Sequence, residues 1–228
     1  MKTYDLYLDS GPMKKSTYIH VPSIAGCIAR GPRTDEALVN APAAIRGYLR
    51  FLALHGKATG PDAAFRTRVA AHATDGGWPG NGAGFLATDT ASLSKQQGDV
   101  LLERLGWIHD DLRKITVGLS PKQLDAKPAV GRPLRKILQH LCGEGGYLRG
   151  VSGASRIQRE AEEGRIDARD ALDRLLELET ARLHAMTKEE RSAVIPRGQS
   201  LWSVRAAVRR MLEHAWEHYS EIAVRLRV

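Results

Sequence analysis

The stretch Arg209-Arg210-Met211-Leu212-Glu213-His214-Ala215-Trp216-Glu217-His218-Tyr219-Ser220-Glu221 decides how the C-terminal part of this chain folds. It contains no Pro or Gly and continues an apolar stripe through Val204, Val208, Met211, Ala215, Ile222 and Leu226. That recurrence is helical. His214 and His218 then stand one turn apart on the striped face, with Cβ atoms roughly 6 Å from each other, close enough for two imidazoles to share one metal ion. The blander reading of such a pair is two core histidines, each hydrogen-bonded to a neighbour. A second copy of the local pattern favours the metal: Arg135-Lys136-Ile137-Leu138-Gln139-His140 matches residues 209–214 in type at nearly every position. Two facing helices could then meet at three imidazoles.

The rest of the chain sets the frame. Its 228 residues can bury one large core or two small ones, and 43% hydrophobic with 26% charged residues is an ordinary globular balance. No stretch approaches the roughly 20 apolar residues of a membrane span, and Met1-Lys2-Thr3-Tyr4-Asp5-Leu6 has no secretory h-region. Cys27 and Cys142 form no C-x-x-C pair, so reduced thiols, a cytoplasmic location and no structural disulfide are expected. The net charge of +8 raises the question of nucleic acid. However, Arg156, Arg159, Arg165, Arg169 and Arg174 alternate with Glu160, Glu162, Glu163, Asp167, Asp170 and Asp173, the pattern of a solvated face laced with ion pairs. Neither nucleic acid nor a membrane is an expected partner.

At the N-terminus, residues 3–9, 16–24 and 26–30 read as three short strands, punctuated by Gly11-Pro12 and Gly26. Thr34-Asp35-Glu36-Ala37 opens a helix, with Thr34 as N-cap and Leu38, Ile45, Leu49 and Leu52 on its apolar side. After Gly60-Pro61, Phe65 to Ala71 alternates as a returning strand, giving β-β-β-α-β. The run from Ile19 to Gly31, followed by Thr34-Asp35-Glu36-Ala37, Asn40, Ala44-Ile45 and Tyr48-Leu49, resembles the HicB-like antitoxin fold over residues 1–72. Pro32-Arg33 departs from the usual family spacing, and nothing takes the place of the DNA-binding segment that antitoxin members carry. The resemblance implies a module that binds a protein partner through residues 1–72. Cys27 reads there as a small buried residue with no basic neighbour to activate it.

Residues 73–92 read as a Gly-rich linker, with Gly76-Gly77, Pro79-Gly80, Gly82 and Gly84 anchored by Trp78 and Phe85. No Lys-Ser/Thr follows these glycines, so they do not form a P-loop. Four amphipathic helices are expected next, over about 92–119, 133–151, 167–186 and 203–226, which together make a bundle. Gly143, Gly145 and Gly146 interrupt the second, for close helix packing or for open space above a metal.

The segment Gly118-Leu119-Ser120-Pro121-Lys122-Gln123-Leu124-Asp125, His140, Trp202-Ser203-Val204-Arg205, and Leu212-Glu213-His214 with His218 and Tyr219 resemble the DinB-like superfamily of four-helix bundles. That superfamily includes thiol-dependent S-transferases. The resemblance implies a divalent metal held by His140, His214 and His218, the same three residues reached from helical phase and repetition. Three imidazoles leave a coordination position open, as catalytic sites do.

Among the neighbours, Glu144 reads as a fourth ligand, an acceptor for an imidazole N–H, or a surface residue, with the acceptor role preferred. Glu179, on the apolar stripe of the third helix, would want a cationic or imidazole partner. His109 reads as a core or surface residue, and Glu213 and Glu217 point away from the ligands.

The expected protein is an α+β domain (1–72), a linker (73–92) and an all-α up-down four-helix bundle (93–228). Its expected role is that of a divalent-metal-dependent enzyme, a thiol-dependent S-transferase or a hydrolase. The expected ion is zinc or nickel, with iron or manganese as alternatives. A low-molecular-weight thiol or other small substrate and a second copy of the chain are the further expected partners. The competing reading is a non-catalytic regulatory protein whose bundle is structural or metal-binding.

Overall fold

The structure is a computed structural model that describes residues 1–10, 15–57, 60–74, 84–197 and 200–228. It falls into two compact units, residues 1–92 with 192–213, and residues 93–191 with 214–228.

In the first unit, strands β1 (Lys2–Asp9), β2 (Thr17–His20) and β3 (Ile28–Gly31) precede helix α1 (Thr34–Leu54) and strand β4 (Phe65–Ala73). The sheet order is β3-β2-β1-β4, antiparallel except that β4 runs parallel to β1. The β-β-β-α-β order expected from alternation is present. The second strand ends sooner than expected, because Pro22 opens a 3-10 turn over Pro22–Ile24. Helix α1 begins at Thr34 with Arg33 in the cap position, so Thr34 is the first helical residue rather than the N-cap. Ala37, Ala41, Ile45, Tyr48, Leu49 and Leu52 form its buried face, the i, i+3, i+4 stripe of a helix lying on a sheet. Gly31 ends β3 against the start of α1, where a Cβ would fall 2.3 Å from the Ala37 nitrogen. Only glycine allows that approach.

Residues 84–92 belong to this unit. The Gly84 N–H donates to Asp9 Oδ2 at 2.7 Å, and Ala87–Thr90 form a 3-10 turn. Gly76, Gly77, Trp78, Pro79, Gly80 and Gly82 of the expected linker lie outside the described residues. The strands β5 (Val194–Arg197) and β6 (Ser200–Ser203) form a hairpin that sequence periodicity did not anticipate. Residues 192–213, expected in the helical half, cluster with the first unit.

The helical unit carries α2 (Lys95–Thr116), α3 (Pro121–Asp125), α4 (Leu134–Leu141), α5 (Ala154–Glu162), α6 (Ala168–Ala185) and α7 (Lys188–Ser192), the last ending at the unit boundary. The long α8 (Val204–Leu226) gives residues 214–226 to this unit. Ser94 caps α2 in a reciprocal pair with Gln97, and Ser120 caps α3 in the same way with Gln123. The second expected helix is cut short. Helix α4 stops at Leu141, Glu144–Gly146 form a 3-10 turn, and the chain restarts as α5 after Gly153 at φ +90°. Glycines 143, 145 and 146 are poor helix formers, and Gly145 is needed for packing: a Cβ there would lie 3.0 Å from Ala154 Cβ and 3.3 Å from Leu175 Cδ2. No described helix is long and apolar enough to cross a membrane.

Candidate metal centre

His140 is the penultimate residue of α4, and His214 and His218 are one turn apart on α8. Helical phase puts the α8 pair on the buried side, at 4% and 8% exposure, while His140 is exposed. The three rings meet edge to face, with centroids 4.9 Å apart for His140 and His214, 5.1 Å for His140 and His218, and 4.8 Å for His214 and His218. His140 Nε2 and His214 Nε2 approach to 3.1 Å. One nitrogen from each residue lies within 4.8 Å of the other two, and among the described residues this is the group of side chains that could hold a metal ion.

The donor set fits a divalent ion. Three imidazole nitrogens each about 2 Å from a common centre suit zinc and its neighbours. The widest pair must close by side-chain rotation, since tetrahedral ligands at that bond length sit roughly 3.3 Å apart. His218 Nδ1 is 3.0 Å from Glu221 Oε2, which leaves Nε2 as its free nitrogen. Glu221 is also bonded by Arg225. The hydrogen bond from His218, with help from the charges of Arg225 and Arg132 and against burial, holds Glu221 below the ordinary carboxylate range. Tyr147 stands edge to face with His214 at 5.7 Å.

The two acids expected near the cluster, Glu144 and Glu179, are both buried. Glu144 is fully buried, and its Oε1 is 2.8 Å from His109 Nε2, an imidazole but not one of the three. Its Oε2 makes no hydrogen bond among the described residues. Glu179 is also fully buried, and neither of its oxygens has a described hydrogen-bond partner. Burial first, and the charge of Glu144 second, push its pKa well up. Cys142 donates to the carbonyls of Leu138 and Ala168, and burial, with Glu144 second, pushes its thiol up to about 12. It supplies no thiolate near neutral pH.

Sequence reasoning therefore reached the three histidines and missed Glu221 and Arg225. Their signal was present in the helical spacing, at i+3 and i+7 from His218.

A helical unit built around three converging imidazoles defines a candidate metal-binding protein. Residues 104–222, just over half of the chain, match the family model of the DinB superfamily, and the chain belongs to that superfamily. The superfamily is typically metal-binding. No curated protein and no solved structure matches the chain.

Proposed function

We propose that this protein is a divalent-metal-dependent enzyme whose ion is held by His140, His214 and His218, and that it transfers a low-molecular-weight thiol to an electrophile or hydrolyses a substrate. The observation that carries this reading is the composition of the cluster. Three histidines converge, one of them exposed, and among the described residues no carboxylate or thiol joins them as a fourth member of the group, Glu144 being bonded to His109. A structural zinc site is normally closed by four protein ligands, whereas a catalytic one keeps a position for water or substrate.

An ion bound there would supply Lewis acidity, lowering the pKa of a thiol or water that reached it. The chain's own residues orient and bind. His218 is fixed by Glu221, and His140 marks the side from which solvent and substrate approach. The helical unit is in this reading an up-and-down four-helix bundle of the superfamily type, its second helix broken at the glycines. Zinc and nickel are among the ions that neutral imidazoles suit.

The test is a turnover screen of zinc- and nickel-loaded protein with a panel of small thiols, electrophiles and activated esters. Conversion that disappears in His214→Ala supports the reading. Conversion equal in parent and variant, or no conversion in any metal-loaded sample, would leave the cluster as a non-catalytic metal or core site.

The competing reading, a partner-binding module in the N-terminal unit, has one observation in its favour. Strand β4 lies at the sheet edge and is exposed from Arg66 to Ala73, an open edge of the kind that pairs with another chain. A HicB-like partner-binding role belongs to this reading.

A further inference from the structure

His218 is tied to a chain of contacts that runs away from the histidine cluster. Its Nδ1 lies 3.0 Å from Glu221 Oε2, and Glu221 Oε1 accepts from Arg225 Nη2. Arg225 Nη1 in turn donates to the Arg132 carbonyl at 2.5 Å. Beside that carbonyl, Gly131 adopts φ +92°, and a Cβ there would fall on the Arg225 guanidinium. A side chain at 131 is thus disfavoured twice, by backbone conformation and by the arginine it would displace.

An ionised carboxylate only accepts hydrogen bonds. A neutral imidazole facing one must therefore carry its proton on the near nitrogen and leave the far nitrogen bare. In a free histidine that choice is open, and the ring also rotates. Here Glu221 is itself held at its second oxygen, so neither ring orientation nor proton position is left to chance. The same carboxylate could instead serve only as an i, i+4 partner of Arg225, a common surface pair of small energetic consequence.

We infer that Glu221, clamped by Arg225 against the Arg132 carbonyl, is a positioning residue that fixes His218 as its Nδ1–H tautomer and presents Nε2 to a divalent cation shared with His140 and His214. The inference rests on the metal reading above for its cation, and on the contacts of the chain alone for its tautomer. Glu221 supplies no ligand atom. It acts through His218, raising the basicity of the ring and removing the rotational freedom that binding would otherwise have to freeze.

Two measurements test it. The first is nitrogen-resolved NMR of the metal-free protein at about pH 8.5, above the ordinary imidazole range. His218 should carry its proton on Nδ1 in the parent and in Glu221→Gln, which keeps an acceptor, and should shift toward the Nε2–H form in Glu221→Ala. An Nε2–H parent, or a Glu221→Ala spectrum like that of the parent, overturns the proposal. The second is zinc competition against a chromophoric chelator. Glu221→Ala should weaken zinc binding about 10- to 100-fold, Glu221→Gln no more than about threefold, and Arg225→Met should fall between them. Equal affinities overturn the proposal. A parent that takes up no zinc overturns the metal reading itself, and the tautomer shift separates that failure from a failure of Glu221.

Discussion

Two groups of buried charge, one in each compact unit, are made of similar residues and reach opposite electrostatic states. In the first unit, Arg209 is 4% exposed and every N–H of its guanidinium is used. Nε and Nη2 grip both oxygens of Asp89, Nη2 also reaches the Gly84 carbonyl, and Nη1 bonds both oxygens of Glu213. His20 Nδ1 adds a contact to Glu213 at 3.0 Å. Burial alone would discourage ionisation of Glu213, but Arg209 and His20 outweigh it and hold its pKa at about 2. In the helical unit, Glu144 and Glu179 are just as deeply buried, yet among the described residues Glu144 is hydrogen-bonded to His109 and Glu179 has no hydrogen-bond partner. There burial wins and Glu179 is pushed toward its neutral form. The lesson is that burial does not decide the state of a carboxylate. The partner does.

The contrast can be broken most sharply at Arg209. Arg209→Ala leaves Asp89 and Glu213 buried without their cation, and should cost roughly 3–5 kcal/mol in urea denaturation. A loss below about 1 kcal/mol would mean that the cluster relaxes into water and is not a buried network.

Acid should act on the same cluster next in size. A carboxylate whose pKa is depressed on folding contributes stability above its unfolded pKa and loses it as pH falls through the folded value. For Glu213 that window runs from about 4.5 down to about 2. The loss across it should be about 3 kcal/mol. Urea midpoints measured across that range in the parent and in Glu213→Gln check this, since the variant should lack that part of the slope.

Glu179 should respond with the opposite sign. Its pKa is raised on folding, so the unfolded chain releases the proton first, and stability falls as pH climbs above the ordinary carboxylate range toward the raised value. Glu179→Gln mimics the neutral acid and should remove that decline, with a gain on the order of 1 kcal/mol at neutral pH. A variant less stable than the parent at pH 7 would indicate that Glu179 is ionised and paired.

The smallest effect should come from an exposed pair. Arg68 and Asp5 meet at 2.8 Å on adjacent strands with side chains 69% and 40% exposed. Arg68→Ala should move the urea midpoint by an amount worth no more than about 0.5 kcal/mol.

Much of this molecule is legible in its sequence. The alternation of residues 3–9 and 65–71 marked strands, and the stripe from Val204 to Leu226 marked α8, because period-two and period-3.6 burial leave their signature in one sequence window. The three histidines could be reached because two share a helix face and the third sits in a local copy of the same pattern. What escaped depended on the fold itself. Asp89 looked like a linker residue, since nothing local reveals that Arg209, 120 positions later, will close on it. The hairpin at 194–203 carries Pro196 and only short apolar runs, too little for a periodic signal. Glu144 was expected beside the metal histidines by helical extrapolation from His140. The break after Leu141 turned it toward His109 instead.

The most direct test of the central claim is elemental analysis of the purified, untagged protein beside a His214→Ala/His218→Ala variant. A three-histidine centre predicts about one equivalent of zinc, nickel, iron or manganese in the parent and almost none in the variant. No bound metal in the parent after incubation with each ion, or the same metal content in both proteins, would contradict it and leave His140, His214 and His218 as packed core and surface residues.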